Sequence, residues 1–523
     1  MTKKLYLFLM MCIVSTLIFA GCNKDEGTDS KDKGDREIIV GMVSEPDSVD
    51  IHRTSSAGDS NIAMYDTLLS LDNDGNILPN IVSEYEVDPN GKAVVFKMKE
   101  GLKFHSGKAL DAEAVKLSME RLMESSPFSS NAGDIDTIEV LSEYSFKIEW
   151  NEPFAPFFLN ATSPYLAPLD VSVLNAEGEE FEKNPSASGA LKLSEIKRGD
   201  SITYVPNEDF DWGSSDGAGF DSVKFRFIPD EETRILEFKK GNIDVLTDVP
   251  YQYIEELEKE EGVTIERVPN YVLSYLGWNN KLPKFQDVKV RQAIAMAIDR
   301  DSIIKNTLRG EAQPVFGPLP KATFGHSEKI ENMAKEKYAF DVEKAKGLLS
   351  EAGWNETDKD GVVMKDGEKF TVDLWVDDDP ANSRAAQIIQ NQLMEIGIKV
   401  SISVKESATI IEQTPKGQHE MLLWGFGWLD ADVLNFLLFG KDKSTRLHYQ
   451  NEEIYSLLDE GAIEMNQDAR MKLYEEAQEM LVEESPWVPL YVKENITAIR
   501  NFENFEIHPI RNAIVWPGVE VSK

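Results

Sequence analysis

The side chains best suited to acid-base work or metal ligation are six histidines, His52, His105, His326, His419, His448 and His508, and none stands at ligand spacing from another. His419-Glu420 lacks the second histidine that a zinc helix needs four residues on. Ser186-Ala187-Ser188-Gly189 is not the G-x-S-x-G nucleophile turn, and Gly107-Lys108 runs into Ala109 where a phosphate-binding loop would place a hydroxyl. Residues 356–367 are similar to a calcium loop through Asp358, Asp360 and Gly361. The twelfth position is Gly367, however, where a bidentate glutamate is required, so an acidic turn is expected there. These absences make an enzyme the weaker reading, and no catalytic residue, metal site or cofactor is expected.

The elements that hold these side chains follow from periodicity. Glu37-Ile38-Ile39-Val40-Gly41-Met42-Val43 is a β-rich run that ends at the turn signal Glu45-Pro46-Asp47, so a strand and then a ligand-facing loop are expected. Phe96 and Met98 alternate with lysines, and Gly101 breaks the apolar run before Phe104, as in a hairpin over 93–104 with one wet face. Asp111 should cap a helix over 112–123, and Phe146, Ile148 and Trp150 alternate as in a strand. Together these make a small α+β unit. Further on, Ala385, Ile389, Leu393 and Ile396 form one apolar stripe on a helix that Gly397 terminates, and Ile398, Val400, Ile402 and Val404 then alternate as a strand. Val290, Ala293, Ile294 and Ala297 mark another buried helix face, and 340–353 a further helix ending at a glycine. Helix followed by strand, repeated, predicts an α/β lobe.

The chain has 523 residues, 41% of them hydrophobic, enough for a large core divided into two or three units. Lys and Arg total 55 against 92 Asp and Glu, a net charge of −37 that repels phosphate backbones, and no segregated basic patch argues for nucleic acid. Residues 1–20 carry two lysines and then an apolar stretch too short for a spanning helix with flanks, the pattern of a secretion signal. Gly21-Cys22 after it resembles the lipobox of bacterial lipoproteins, with Phe19 where leucine is usual. That resemblance implies cleavage before Cys22 and a diacylglycerol thioether on its sulfur. Cys12 and Cys22 are the only cysteines, so the mature chain should hold no disulfide. Residues 23–36 offer nothing apolar to bury and read as a flexible tether.

Three longer stretches resemble the extracellular solute-binding proteins, family 5, of ABC importers, the oligopeptide-, dipeptide- and nickel-binding class. Residues 93–123, AVVFKMKEGLKFHSGKALDAEAVKLSMERLM, are similar to its strand, Lys-x-Gly-x-x-Phe turn and helix. SYLGWNNKLPKFQDVKVRQAIAMAIDR within 272–300 is similar to its strand, Pro-x-Phe-x-Asp turn and Val-Arg-Gln-Ala helix, and 340–354, FDVEKAKGLLSEAGW, to its next helix. With 430–459 the likeness spans nearly all of 37–520. It implies an α/β, two-lobed periplasmic-binding-protein-like fold of type II with an extra α+β domain inserted in the first lobe. The expected division is 1–21 signal peptide, 22–36 lipidated cysteine and tether, 37–69 and 180–282 lobe I, 70–179 insert, 283–493 lobe II and 494–523 a return to lobe I. The implied role is capture of di- or oligopeptides between the lobes and delivery to membrane permease subunits by a monomer. It would be lipid-anchored on the extracytoplasmic face of the cell membrane, of a Gram-positive bacterium or else on the periplasmic side. A nickel or metallophore complex using His448, Arg446 and Asn451, or a peptide-sensing receptor, is the alternative.

A peptide brings a cationic amine that, once buried, needs a carboxylate. In peptide-binding members an aspartate after Gly-Trp supplies it. Here Gly427-Trp428-Leu429-Asp430-Ala431-Asp432 offers Asp430 and Asp432, either of which could instead cap a turn. Trp424, Phe426 and Trp428 alternate on one strand face, for stacking on ligand or for packing. Arg384 or Arg446 could meet a ligand carboxylate through a bidentate fork. Ser55 and Ser56 follow the first strand in the loop that faces ligand in relatives. The family's Gly-Thr-Gly-Pro-Tyr is replaced by Ser186-Ala187-Ser188-Gly189-Ala190, and nickel-type binders have an arginine where Ser163-Pro164-Tyr165 stands.

Overall fold

The computed structural model describes residues 36–54, 57–173, 181, 185–215, 217–440, 445–511 and 513–521. Residues from Glu37 onward form one compact unit. Its frame is a mixed sheet whose main strands are β1 (Glu37–Met42), β2 (Leu191–Lys197), β3 (Ser201–Pro206), β4 (Ser222–Phe227), β5 (Val245–Leu246), β6 (Val263–Trp278), β7 (Thr371–Val376), β8 (Lys399–Val404), β9 (Met421–Gly427) and β10 (Trp487–Arg500). They lie in the order β8-β7-β9-β6-β10-β5-β1-β4-β3-β2, with Ala312–Pro314 added on β10.

Among the described residues, strands β6 and β10, of 16 and 14 residues, are the two longest of this sheet. They run antiparallel, Val263 facing Arg500 and Gly277 facing Trp487. At one end β1 pairs in parallel with β4 and β5; at the other β7 pairs in parallel with β8 and β9. Each end has its own core, one around Val40, Tyr204, Phe225 and Trp516, the other around Trp278, Phe285, Leu374 and Ile389. Parallel pairs need crossover connections, and helix Pro380–Glu395 supplies the one between β7 and β8. Helix Pro380–Glu395 buries Ala385, Ile389 and Leu393 as the stripe predicts, and Gly397 follows at φ 82°, a conformation that glycine adopts freely.

A separate four-stranded antiparallel sheet holds 82–150, in the order Val82–Val87, Ala93–Met98, Ser145–Trp150, Ile135–Ser142. The expected hairpin over 93–104 is absent. Ala93–Met98 pairs instead with Val82–Val87 and Ser145–Trp150, so both its neighbours come from elsewhere in the chain. Val94, Phe96 and Met98 make its buried face, against Phe146, Ile148 and Trp150. Helix Ala112–Ser125 covers this sheet, and its first turn is closed by Asp111, which accepts from the Ala114 N–H at 2.9 Å. From that helix Arg121 reaches Asp50 with Nη1 on Oδ1 at 3.1 Å and Nη2 on Oδ2, tying the small sheet to the loop after β1. Asp358, in the acidic turn, accepts from the Asp360 and Val362 N–H groups, as a turn carboxylate does. Among the described residues no helix is long and apolar enough to cross a membrane, and no group of three metal-ligating side chains occurs.

Candidate functional site

Where the crossing strands meet the loop after β1, two cavities of about 430 and 300 Å³ share a wall made by Ala57, Asp59, Ile62, Tyr271, Arg511 and Ile514. Volumes of this order are typical of small-ligand sites. Local structure sets each wall residue. Asp59 opens the short helix Asp59–Ile62 and accepts from the Ile514 N–H at 3.0 Å, joining the first loop to the C-terminal segment. Asp66 accepts from the Asn80 side chain and from the Thr67 N–H. Tyr271 stands where β6 bulges, between the register positions of Pro269 and Leu273, and such a bulge re-aims a side chain off the ladder. Its ring has room because residue 427 is glycine: a Cβ there would lie 2.9 Å from Tyr271 Cε2. Asn270 donates to Asn495 across the two strands at 2.9 Å.

Arg511 is presented by a turn that His508 organises. The His508 Nδ1 accepts from both the Ile510 and Arg511 N–H groups at 3.2 Å, which leaves Nε2 as the protonated nitrogen, donating to the Leu71 carbonyl at 3.1 Å. Loss of hydration, and then the charge of Arg511, hold the His508 ring below its ordinary pKa, so it is neutral.

The walls are charged and poorly hydrated. Desolvation pushes the Asp59 carboxyl up to about 6, with the Ile514 N–H opposing and the Asp248 charge adding to the rise. Desolvation raises Asp66 too, against hydrogen bonds from Asn80 and Thr67, and it raises Asp248, which lines the smaller cavity at a left-handed φ of 52°. It lowers Arg511 to about 10, while Asp66 acts from a distance in the other direction. Three acids and one arginine therefore surround a space that favours a cation or a zwitterion.

The sequence-derived candidates are distributed differently. Asp430, one of the two expected amine acceptors, is 1% exposed and accepts from Arg470 Nη1 at 2.7 Å and Nη2 at 2.6 Å, so its two oxygens are engaged from inside the protein. Burial works against the Arg470 charge, but the Asp430 carboxylate offsets it and holds that pKa above its ordinary value. The Arg470 Nε donates to the Gly461 carbonyl at 2.7 Å, and its head lies 5.0 Å from the Phe324 ring. Asp432 is half-buried beside this pair and accepts from Asn435 at 3.3 Å. Trp428 is half-buried, and its carbonyl accepts from Thr323; its neighbour Leu429 reaches the larger cavity.

Trp424 and Arg446 come together with the guanidinium 6.0 Å from the ring. His448 donates from Nε2 to the Thr414 carbonyl, 2.8 Å away, and lies 6.0 Å from the buried ring of His419. Asn451 caps the helix Glu452–Ile463. Arg384 is exposed on Pro380–Glu395. None of Trp424, Arg446, His448 or Arg384 lines either cavity. Ser55, Ser56 and Cys22 lie outside the described residues.

Asp59, Asp66, Asp248, Tyr271 and Arg511 were not singled out from sequence. Pro269-Asn270 inside a β-rich run was a usable signal for the bulge that aims Tyr271. For Arg511 no local pattern names the acids that share its cavity, because Asp59, Asp66 and Asp248 lie hundreds of residues away.

The model of the bacterial extracellular solute-binding proteins, family 5 (middle), matches residues 76–445. The oligopeptide-binding protein AppA of Bacillus subtilis (strain 168) is 27% identical over 540 residues, which cover 98% of this chain and 97% of that one. Its solved structure, in complex with a nonapeptide, aligns at a TM-score of 0.73 with 25% identity, over 94% of this chain and all (100%) of that one. The periplasmic binding protein DppA from Helicobacter pylori, in complex with the peptide STSA, aligns at 0.72 with 25% identity over 93% and 98%. NikA from Brucella suis, in complex with Fe(III)-EDTA, aligns at 0.82 with 21% identity over 93% and 100%, a likeness of fold.

Proposed function

We infer the cargo from a premise that the sequence match supplies: the chain belongs to the bacterial extracellular solute-binding proteins of family 5. It is the solute-binding component of an ABC importer, works outside the cytoplasm, hands its solute to the permease and is not an enzyme. The solute, we propose, is a short peptide.

The observation that carries this reading is the charge on the shared wall. A peptide amine taken out of water costs several kcal/mol unless an acid meets it. Asp59 lines both cavities, and its ionisation is suppressed by the same desolvation that an ammonium group would offset. Asp59 is therefore the proposed amine acceptor, with Asp66 and Asp248 keeping the surrounding potential negative. Tyr271 and Leu429 offer apolar surface to side chains of the ligand. The names of two aligned proteins agree, one bound to a nonapeptide and one to the peptide STSA.

In this reading 37–69 and 180–282 form lobe I, 283–493 lobe II and 494–523 the return, with 70–179 inserted. Bending at β6 and β10 closes the lobes, and a ligand touching both favours the closed form by its differential contacts. Cys22 carries the lipid that holds the protein at the membrane. The metal-complex alternative has less support, because Asn451 is occupied as a helix cap and His448 at a carbonyl.

Native mass spectrometry of the purified protein, followed by calorimetry with free and amino-acetylated peptides, tests the proposal. Co-purified peptides without stoichiometric metal, and loss of affinity on acetylation, are expected. A stoichiometric metal complex, or equal binding of acetylated peptide, would overturn it.

A further inference from the structure

Arg511 carries two donors that nothing among the described residues uses. Its Nε and Nη2 are buried and have no hydrogen-bond partner, although the side chain lines both cavities. These two nitrogens lie on one edge of the guanidinium, the edge whose parallel N–H groups match the two oxygens of a carboxylate. Arg470 shows a two-toothed grip on a carboxylate satisfied within this fold, there through its Nη1–Nη2 end on Asp430 at 2.7 and 2.6 Å. At Arg511 the opposing charge is that of Asp66, which acts through space and itself accepts hydrogen bonds from Asn80 and Thr67.

An orphaned cation of this kind is costly, since a buried donor without a partner forfeits its hydration and gains nothing. The cost is removed if an oxyanion arrives with the ligand. The head of an arginine turns about its terminal torsions between staggered wells, so the fork can meet a group standing in the cavity. The rigid part of the subsite is its base: His508 ties the Ile510 and Arg511 N–H groups on one side and the Leu71 carbonyl on the other. Asp59, on the same wall, supplies the opposite sign.

We propose that Arg511 is an anion subsite of the interlobe cavity and takes a planar carboxylate of the ligand through its Nε–Nη2 edge. The inference rests on the peptide reading above and narrows it to ligands that carry a carboxylate close to their amine, as a short peptide does at its C-terminus or on an acidic side chain.

Calorimetry on the full chain with three probes separates the cases: a tripeptide acid, the same tripeptide amidated at its C-terminus, and an amidated tripeptide bearing glutamate. The wild type is expected to prefer the acid to the plain amide by about tenfold or more, the scale of a charged hydrogen-bonded pair. Arg511→Met should erase that preference, and Arg511→Lys, which keeps the charge without the fork, should retain part of it. If the glutamate-bearing amide recovers the affinity, the carboxylate read is a side chain's; if it does not, the terminal one is read. Because the acid-to-amide ratio is measured first on the wild type, a variant that fails to fold leaves the test intact. Equal binding of acid and plain amide with no gain from glutamate overturns the subsite while peptide binding stands. Binding of none of the three by the wild type overturns the peptide reading, and the subsite with it.

Discussion

Arg470 holds Asp430 through two parallel hydrogen bonds of 2.6 and 2.7 Å in a place where neither residue is more than 4% exposed. The pair joins helix Gln467–Glu484 to the segment after β9, where Phe324 donates its N–H to the Leu429 carbonyl at 2.7 Å. A carboxylate so enclosed anchors the segment from which Leu429 reaches the cavity, and its own oxygens are spent on Arg470.

Removing one partner should therefore be a stability defect. Arg470→Met leaves an uncompensated buried charge and is expected to cost about 3–5 kcal/mol in urea unfolding, whereas the double change Asp430→Leu with Arg470→Met recovers most of it. Asp430→Asn should leave the discrimination between free and acetylated peptide amines intact. Loss of that discrimination in a folded Asp430→Asn protein would return Asp430 to the ligand.

Asp59 sets a pH dependence whose sign follows from its raised carboxyl, about 6 in the folded chain against an ordinary 3.8. Between those values the native state retains a proton that the unfolded chain has released, so this group subtracts stability as pH rises through the window, and the full penalty applies above it. Asp59→Asn should raise the thermal midpoint at pH 7, and the gain should fade as pH falls toward 4. Peptide binding, which needs the ionised acid, should strengthen as pH rises through 6 in the wild type. A binding curve flat from pH 5 to 7 would remove Asp59 from the amine.

Three buried histidines act in the opposite sense. Desolvation lowers His52, His105 and His419 to about 4 from 6.5, so the folded chain keeps them neutral while the unfolded chain takes up protons below 6.5. Their contribution is present above about 6.5 and is lost as pH falls toward 4. His105 donates from Nε2 to the Gly189 carbonyl at 3.0 Å, and His419 lies 6.2 Å from Trp375. His419→Gln should flatten the acid limb of a midpoint-against-pH series, and an unchanged limb would show that the ring titrates normally.

Gly427→Ala tests the aim of Tyr271. The added methyl would meet Tyr271 Cε2 and Val272 Cγ2 at 2.9 Å, closer than side chains tolerate. Overpacking of this kind costs about 1–3 kcal/mol when neighbours must shift. The shift falls on a ring that lines both cavities, so peptide affinity should drop more than tenfold while the far-ultraviolet spectrum stays that of the wild type. Undiminished affinity would place Tyr271 outside the ligand's reach.

Much of this protein was legible from sequence wherever a local pattern is also a structural unit. The stripe Ala385, Ile389, Leu393, the cap Asp111, the strand ending at Met42 and the glycine at 397 each depend on neighbours within a few residues, and periodicity and capping chemistry report those neighbours directly. The family likeness was legible for a related reason, since it resides in contiguous strand, turn and helix runs. The hairpin expected over 93–104 failed because Ala93–Met98 folds back on the strand before it, 82–87, and takes its other partner from 145–150, a distant neighbour that no local pattern names.

The binding wall lay beyond sequence reading for the same reason at longer range. Asp430 and Arg470 meet across 40 positions, and Asp59 and Ile514 across 455. Whether an aspartate faces a ligand, an arginine or a backbone N–H depends on which partner the chain path brings within 3 Å and on how much water remains there. Residue type and spacing determined many of the elements and the kinship of this chain. Only the tertiary structure decided which acids are already paired and which, with Arg511, are left facing a cavity, because desolvation and pairing are properties of an enclosed volume.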